Sequence, residues 1–336
     1  MRKHHQEYPH PGNQSYLTVE HSAEHSLYQV SEATCRGGWF ETFQAGTFGE
    51  VTDMDINSAY PWVMKDLPHW NNGEFVWVDD KKDLQPNDFY GWIFAEFDCP
   101  YIPFNTQKEE TWTEVFEGKN IEVRGKKSVK TIVNPVGKRV QEIILAEYLF
   151  MVEHHFRPKF LGGWIWRQTK DNWVKPFGWI PEIMAKKEAI KKQLRSEGKK
   201  NSMEYLMVKI APNGVSGKTH QKVGKIKPLY SPFYFSYITG LTRLRLADFI
   251  LKNKLEKSVI NVATDGILLD GYHDFKTSSD FGSFEVNHYP EAFVIGNGMY
   301  QVFTGQLDKY FFSKARGITK TGQLNLKQIC RDNRDR

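Results

Sequence analysis

Short stretches of alternating hydrophobic and polar residues run through the first third of the chain. Residues 50–57 alternate Val, Met and Ile with polar side chains, a pattern that predicts a strand leading into a turn. Residues 74–79 and 90–98 predict two further strands. The aromatic and glycine-rich residues 37–46 predict a hairpin. This part of the chain is therefore expected to be rich in β structure.

A further hairpin is predicted closer to the C-terminus. Residues 259–262 and 267–269 are rich in β-forming residues, and the turn between them contains Asp265 and Gly266. Asp-Gly between two apolar runs is a strong signal for a tight hairpin turn. The pattern therefore predicts that Asp265 lies where two strands turn back on each other.

Longer segments with helical spacing alternate with these strands. Residues 140–156 have helical length and an apolar face. A second helix is predicted to begin at Pro181 and to end at Gly198, because proline is tolerated in a first helical turn and glycine commonly ends a helix. A short helix is expected over 202–210, stopped by the Pro-Asn-Gly that follows, and residues 233–254 begin strand-like and become helical.

Composition supports a globular protein with a packed core. The chain has 336 residues, of which 40% are hydrophobic and 14% aromatic, and this favours a mixed α/β protein over a disordered one. No run of 18 apolar residues and no secretory signal are present, so neither a membrane partner nor export is predicted. Cys35, Cys99 and Cys330 lie far apart and indicate reduced thiols in a cytoplasmic protein.

The N-terminal 32 residues are polar and contain five histidines. Their spacing forms no metal-ligand set, so residues 1–32 are predicted to be a mobile or loosely docked arm. Positive charge is concentrated elsewhere. Residues 181–230 contain twelve Lys or Arg and four acids, a net charge of +8, whereas the rest of the chain sums to −3. Such a segment indicates a polyanionic partner, although a solvated lysine-rich helix face would have the same composition.

Three segments carry candidate chemistry. In residues 53–61 (DMDINSAYP), Asp55 ends a strand before a turn that could hold Mg²⁺ and a triphosphate, although a single acidic pair is more often only solvated. In residues 209–218 (KIAPNGVSGK), Lys209 would supply charge to a phosphate, and the spacing excludes a P-loop. In residues 261–269 (NVATDGILL), Asp265 lies on the predicted hairpin, where Asp-Gly could simply make a turn.

The order of the three segments favours a functional interpretation. A strand-end acid, a basic helix and an acid on a hairpin follow one another along the chain. Phosphoryl transfer with two metal ions needs at least two carboxylates that converge on the ions. Asp55 and Asp265 are the candidates for that pair.

The three segments resemble motifs A, B and C of family B DNA polymerases, and most closely those of the protein-primed branch of bacteriophages and linear plasmids. DINSAYP resembles motif A, KIAPNGVSGK resembles motif B, and ATDGILL resembles motif C. The likeness extends to the segments around them and covers residues 36–322. The resemblance implies an α/β fold of the right-hand polymerase type, with an antiparallel-sheet palm, helical fingers and a reduced thumb. No segment resembles the proofreading exonuclease of the family.

Domain bounds follow from the resemblance. They are an N-terminal arm (1–32), palm with an insertion and motif A (33–165), fingers with motif B (166–229), palm with motif C (230–310) and a partial thumb or tail (311–336).

The resemblance also implies roles for particular residues. Asp55 and Asp265 would be the catalytic metal ligands, assisted by the carbonyl of Ile56, and the cofactor would be Mg²⁺ or Mn²⁺. The remaining implied site residues divide into a nucleotide-binding set (Ser58, Ala59, Tyr60, Lys209, Asn213) and a nucleic-acid-binding set (Gly217, Lys218, Thr264, Tyr300). Primer–template DNA and dNTPs are the implied partners, and a priming terminal protein or separate replication subunits are compatible with them.

The motifs also depart from the family pattern. Ala263 replaces the first acid of motif C, Gly214 and Ser216 replace the Ser and Tyr of motif B, and Gly298 stands where a lysine is expected. These substitutions bear on fidelity and efficiency. They leave open a polymerase-derived nucleic-acid-binding protein without turnover, and a primase-like or terminal-transferase-like nucleotidyltransferase.

Overall fold

A computed structural model describes residues 9–10, 13–16, 23–102, 104–116, 119–133, 137–170, 173–199, 201–221, 229–296, 299–303 and 310–311. From residue 312 onward, the predicted partial thumb lies outside the described residues, as do Gly298 and Cys330. The helices are α1 (Ala23–Ala33), α2 (Ala59–Met64), α3 (Leu145–Glu153), α4 (Ile180–Ser196), α5 (Met203–Lys218) and α6 (Pro232–Lys252). Within the described ranges, none of them combines the length and apolar character needed to cross a bilayer.

The strands all pair antiparallel. They are β1 (Pro9–His10), β2 (Asn13–Tyr16), β3 (Trp39–Thr42), β4 (Gly46–Phe48), β5 (Val51–Ile56), β6 (Gly73–Val78), β7 (Tyr90–Phe97), β8 (Phe104–Phe116), β9 (Lys119–Val133), β10 (Arg139–Ile144), β11 (Lys159–Gln168), β12 (Val259–Thr264), β13 (Gly266–Asp270), β14 (Phe284–Tyr289), β15 (Glu291–Gly296), β16 (Met299–Phe303) and β17 (Tyr310–Phe311). The mixed α/β class with antiparallel sheets is thus confirmed, whereas the division into palm, fingers and thumb remains a prediction.

The chain forms two compact units. Unit 1 comprises residues 1–37 and 70–172, and unit 2 comprises residues 38–69 and 173–336. Unit 1 contains a four-stranded sheet in the order β10-β7-β11-β6 and the long β8–β9 hairpin. Its core is built from large apolar side chains such as Trp92, Ile93 and Trp166, each at most 1% exposed.

The predicted helix over 140–156 is wrong in its first third. Residues 139–144 form β10, which pairs with β7, and α3 begins only at Leu145. The Glu147 carboxylate accepts a hydrogen bond from the Ile144 N–H at 3.1 Å, and this contact marks the start of the helix. The apolar residues on both sides of this boundary are buried, in the strand as well as in the helix. The period of the apolar pattern therefore does not show where the strand ends and the helix begins.

Part of the predicted N-terminal arm is helical in the described residues. Helix α1 covers the last part of the predicted arm, and Leu27 and Val30 on one face of it are each 6% exposed. This helix contacts β7 and β10 of the same unit. Two buried apolar residues, spaced by about one helical turn, lie on the packed face of this helix. In the sequence this short apolar pattern is less evident than the histidines around it.

Unit 2 is built around a five-stranded sheet with the order β14-β5-β13-β12-β3 and a four-stranded sheet with the order β17-β16-β15-β4. A cluster of buried apolar residues joins the two sheets (Val51, Ile260, Leu268, Ala292, Val294, Tyr300, Val302). Helix α6 contacts β12 and also packs against α2 and α5. Strand β5, which contains Asp55, and strand β12, which leads to Asp265, each have a neighbouring strand on both sides.

The predicted hairpin over 37–46 does not form. Strand β3 pairs with β12, whereas β4 pairs with β15 in the other sheet. The N–H groups of Phe43 and Gln44 donate to the Ile260 carbonyl at 2.8 and 3.2 Å, so the chain after β3 continues along β12. Pairing with strands more than 200 residues away is a tertiary preference that no local pattern reveals.

The helices of unit 2 agree with the sequence in part. Helix α4 has Pro181 in its first turn, and Gly198 follows it with a φ of 66°, as predicted. Helix α5 begins after Ser202 as expected but continues through Pro212 to Lys218, and Pro212 is buried on the face by which the helix packs. Residues 233–254 are helical from the start, since the Ser231 hydroxyl caps α6 and Pro232 suits its first turn.

Candidate active site

Asp55 lies near the end of β5 with a partner on each side. Its register partners are Gly266 on β13 and Glu285 on β14. The neighbouring Ile56 N–H donates to the carbonyl of Asp265 at 2.8 Å. The backbones of Asp55 and Asp265 are therefore joined across adjacent strands, so the structure brings together the two acids that the sequence singled out.

Asp265 lies alone in the turn between β12 and β13. Its N–H donates to the Ala263 carbonyl at 2.8 Å, and Ala263 pairs with Gly266. The predicted hairpin is thus confirmed, with a tight turn centred on Thr264 and Asp265. Gly266 adds no side chain beside Asp55, so this position leaves room in front of the two acids.

The turns after the two strands share an unusual backbone. Ser58 has a φ of 57° and Thr264 a φ of 63°, both in the left-handed region that non-glycine residues rarely occupy. Each such residue costs about 1–3 kcal/mol and is often found at functional sites. The backbone of Gly38 packs closely against Thr264, because a Cβ added at Gly38 would lie 3.0 Å from the Thr264 Cα.

The turn between β5 and α2 is fixed by a buried lysine. The Nζ of Lys187, on α4, donates to Ser58 Oγ at 2.9 Å and to Asn57 Oδ1 at 3.2 Å. Lys187 is only 7% exposed, and it also forms an ion pair with Glu188 at 3.5 Å. The Asn57 amide donates to the Ser279 carbonyl at 2.5 Å, so the turn is anchored from two directions.

A second tie holds the loop that receives Asn57. The guanidinium of Arg245 on α6 lies 4.0 Å over the ring of Trp62 and donates to the Gly282 carbonyl. Gly282 has a φ of 83°, and a Cβ there would be 1.9 Å from the Trp62 ring. The backbone of Gly282 in turn donates to the Asn57 carbonyl at 2.9 Å. Helices α2 and α6 therefore support the turn that follows Asp55.

Positive charge accumulates beside this turn. Burial lowers the pKa of Lys187, and the nearby charges of Lys191 and Lys209 lower it further, against the opposing effect of Glu188. Lys187 therefore contacts Ser58 while the positive charges of Lys191 and Lys209 act on it, and an anion would offset this repulsion. A negative charge bound beside Lys187 would raise its pKa again.

Helix α5 presents motif B to solvent in part. Lys209 and Asn213 are exposed, and the Asn213 amide donates to the Lys209 carbonyl at 3.1 Å. A Cβ added at Gly217 would meet no heavy atom within 4 Å, and Lys218 is exposed in the last turn. Ser216 is instead 6% exposed, and its hydroxyl donates to the Asn213 carbonyl at 2.7 Å. Ser216 thus lies on the packed face of α5.

The remaining predicted residues occupy mixed positions. Tyr60 is half-buried in the first turn of α2, and Ala59 beside it is buried. Tyr300 is 3% exposed within the cluster that joins the two sheets, so little of its surface is available for a ligand. Its contact with a primer terminus remains a prediction.

Sequence reasoning did not single out Lys187 or Glu285. Lys187 was one of twelve basic residues, and its contact with Ser58 spans 129 positions. Glu285 becomes a neighbour of Asp55 only through the pairing of β14 with β5. No local signal distinguishes either residue.

The donor chemistry fits a hard divalent cation. The carboxylates of Asp55 and Asp265 and the carbonyl of Ile56 offer oxygen atoms, and oxygen is the ligand that Mg²⁺ and Mn²⁺ prefer. No histidine or cysteine lies within β5, the β12–β13 turn or the turn after β5. The set therefore favours these ions over zinc.

Comparison with known proteins identifies the fold. Phi29 DNA polymerase in an orthorhombic crystal form matches with a TM-score of 0.58 at 17% identity, over 89% of this chain and 56% of that one. Its complex with primer-template DNA and incoming nucleotide substrates matches with a TM-score of 0.57 at 17% identity, over 88% and 55%. The chain thus has a DNA-polymerase fold and spans a little over half the length of phi29 DNA polymerase. No protein-family model and no curated protein matches the sequence.

Proposed function

We propose that this chain carries the nucleotidyl-transfer core of a family B DNA polymerase, which adds dNMP to a primer 3′-hydroxyl or to a protein hydroxyl. The observation that carries the proposal is the junction of Asp55 and Asp265, whose strands are joined by the 2.8 Å bond from the Ile56 N–H to the Asp265 carbonyl. Two acids that are 210 positions apart in the sequence lie at the ends of strands of one sheet, in a fold similar to that of a DNA polymerase.

Asp55 and Asp265, with the Ile56 carbonyl, would hold Mg²⁺ or Mn²⁺. Such ions supply activation of the attacking oxygen and stabilisation of the charge on the leaving phosphates. The carboxylates orient the ions, and the hydrogen bonds at Ile56 and Asn57 keep both strand ends in register. Rigid supporting contacts of this kind are what a positioned catalytic site requires.

The lysines beside the Ser58 turn would bind the triphosphate. In the reaction the 3′ oxygen loses its proton and bonds to the α-phosphorus, while the bond from that phosphorus to the bridging oxygen breaks and pyrophosphate leaves. Lys187 and Lys209 would neutralise the charge on the leaving group. Asn213 would line the same pocket, and Tyr60 would lie beneath the sugar and exclude a 2′-hydroxyl.

Primer–template DNA would lie along the exposed face of α5, with Gly217, Lys218 and Thr264 close to it. Gly217 permits close approach of a base pair, because nothing lies within 4 Å of the position of a Cβ there. Lys218 would contact backbone phosphates. A priming protein or separate replication subunits are compatible with this arrangement.

Primer extension by Asp55→Asn and Asp265→Asn tests the proposal. Each variant removes one carboxylate charge from the cation site, so extension with Mg²⁺ or Mn²⁺ should fall by roughly 1,000-fold or more, which corresponds to several kcal/mol. Asp274→Asn is the matched control, since Asp274 is exposed in a loop of the same unit. Circular dichroism and thermal melting should be unchanged in all three, and wild-type rates in both site variants would refute the proposal.

A second candidate function is DNA binding without turnover. It is favoured by Ala263, which removes one acid of motif C, and by the burial of Ser216, which places no ring over a nascent base pair. Salt-sensitive DNA binding by the wild-type chain, together with no incorporation under either metal, would establish this alternative. Incorporation that Asp55→Asn abolishes would exclude it.

A further inference from the structure

A cavity in unit 1 contains none of the residues that the three motifs single out. Its volume is about 690 Å³, which lies within the range of roughly 300–1,000 Å³ that is typical of small-molecule sites. Helix α3, the turn that follows it and the segment between β6 and β7 form its lining. All of the lining residues belong to unit 1, whereas Asp55 and Asp265 belong to unit 2.

Part of the lining is apolar. Leu149 and Val152 lie about one turn apart on α3, and the side of each residue that faces away from the core leaves it 49% exposed. Leu84 and Pro158 are the other apolar residues of the lining, and both are half-buried. Apolar surface left open beside a cavity favours a ligand with a flat apolar group, because binding removes that surface from water.

Tyr148 contributes a polar group that the protein does not satisfy. The residue lines the cavity and is 3% exposed, and within the described residues its hydroxyl forms no hydrogen bond. Its ring packs edge-on against Phe160 with a centroid distance of 5.6 Å. Burial, and after it the charge of Asp80, raises the pKa of Tyr148, so the hydroxyl keeps its proton and can donate. A ligand in the cavity can therefore supply the partner that the protein does not.

The same lining carries positive charge without acidic partners. Lys81, His155 and Arg157 are exposed, and within the described residues none of them forms an ion pair. No Asp or Glu is among the described residues that line the cavity. The neighbouring Asp80 accepts a hydrogen bond from the Lys82 N–H at 3.0 Å and lies 3.9 Å from the Lys82 Nζ. The lining is therefore suited to an anionic group.

The turn after α3 holds two of these basic residues in an unusual backbone conformation. His155 has a φ of 63° and Arg157 a φ of 50°, both in the left-handed region. The Phe156 N–H between them donates to the Met151 carbonyl at 2.9 Å, which closes the end of the helix. Glycine is the usual residue at such a helix end, and left-handed non-glycine residues cluster at functional sites and ligand clamps.

We propose that this cavity binds a nucleoside monophosphate. Lys81, His155 and Arg157 hold its phosphate, and its base packs against the apolar residues of α3. The hydroxyl of Tyr148 favours a base or sugar, which carry polar atoms, over a plain aliphatic chain. The positive charge favours a phosphate ester over an uncharged nucleoside. The inference does not depend on the proposed function, because the lining and the motif residues belong to different units.

Calorimetric titration of the full chain with dAMP in metal-free buffer tests the assignment. Wild type should bind dAMP at least about 10-fold more tightly than inorganic phosphate, deoxyadenosine or hexyl phosphate, because each of these offers only part of the matching chemistry. Arg157→Ala should weaken dAMP binding by about 10-fold, since it removes a charge-assisted hydrogen bond. Tyr148→Phe keeps the ring and should weaken binding by about 3-fold.

Two further variants separate a binding role from a structural one. Lys159→Ala is the matched control for Arg157→Ala, because Lys159 is exposed on β11 and does not line the cavity. His155→Gly removes a basic group but suits the left-handed backbone. It should therefore bind dAMP more weakly than wild type while melting at the same or a higher temperature.

Three results would overturn the inference. The first is wild-type dAMP affinity in both Arg157→Ala and Tyr148→Phe. The second is binding that Lys187→Ala abolishes and Arg157→Ala retains, because the nucleotide would then occupy only the site proposed in unit 2. The third is equal affinity for dAMP and any one of the three partial ligands. Primer extension and its dependence on Asp55 and Asp265 are unaffected by any of these results.

Discussion

At the scale of single residues, the charged groups of unit 2 matter most where they are buried. Lys187 loses most of its solvation, and its pKa falls as a result, yet its ammonium keeps two hydrogen bonds to the turn after Asp55. A lysine in this state responds strongly to a new negative charge. It connects α4 to the turn that follows Asp55.

Glu41 on β3 is a half-buried ionisable residue of unit 2, and its titration can be measured. Burial raises the pKa of its carboxyl to about 7, although a hydrogen bond from the Trp39 indole N–H acts in the opposite direction. The folded state therefore holds a proton that the unfolded chain releases above about pH 4.5. The stability linked to this proton is complete below pH 4.5 and is lost as the pH rises to about 7.

We predict that Glu41→Gln removes this pH dependence. Above pH 7 the variant should be more stable than wild type by about 1 kcal/mol, a value that allows for the partial exposure of the carboxyl. Near pH 4.5 the two proteins should be equally stable. Urea unfolding between pH 4 and pH 8 measures the difference, with Glu50→Gln as an exposed control. A constant difference across that range would contradict the assignment to Glu41.

At the scale of helices and strands, the sequence predicted the elements whose signals are local. The β12–β13 hairpin follows from Asp-Gly between two apolar runs, and the start of α5 follows from Ser202, whose hydroxyl accepts from the Tyr205 N–H at 3.1 Å. The separation of β3 from β4 and the passage of α5 through Pro212 did not follow. Both depend on partners that are distant along the chain.

The contact between Gly38 and the β12–β13 turn gives a prediction at this scale. A Cβ at position 38 would lie 2.9 Å from Thr264 Cγ2 and 3.0 Å from its Cα, so Gly38→Ala must displace the turn that carries Asp265. Overpacking of this kind costs about 1–3 kcal/mol. A displacement of about 1 Å at a catalytic group can lower a rate about 100-fold.

Gly37→Ala is the matched control for that experiment, because no heavy atom lies within 4 Å of its added Cβ. We expect Gly38→Ala to lower both the melting temperature and the extension rate, and Gly37→Ala to change neither. Equal behaviour of the two variants would show that the turn does not depend on the close approach of Gly38.

At the scale of the whole molecule, the order of the motifs predicted more than the local patterns did. The order of Asp55, Lys209 and Asp265 along the chain grouped these three residues into one predicted site. The fold is similar to that of phi29 DNA polymerase at only 17% identity. The two acids do meet at adjacent strands. Glu285 and Lys187 could not be predicted, since their neighbours are set by sheet pairing and helix packing.

The basic segment over 181–230 gives the prediction that belongs to the whole chain. Its described part is α4, α5 and the residues that adjoin them. The whole segment has a net charge of +8, whereas the rest of the chain sums to −3. If this segment binds DNA phosphates, affinity should fall steeply with salt. Each lysine that contacts a phosphate of duplex DNA contributes about 0.9 to the slope of log affinity against log salt.

Lys192→Ala should therefore reduce that slope by about 1 and weaken binding to all sequences alike, because Lys192 is exposed on α4 and would meet backbone phosphates rather than bases. Lys257→Ala makes the same charge change just before β12, at the end of that strand away from Asp265. It should leave the slope unaltered. Fluorescence anisotropy with labelled primer–template between 50 and ~300 mM salt measures both slopes. A slope that is unchanged by Lys192→Ala would instead identify this surface of α4 as a solvated helix face, so that any DNA contacts of the basic segment would have to come from α5.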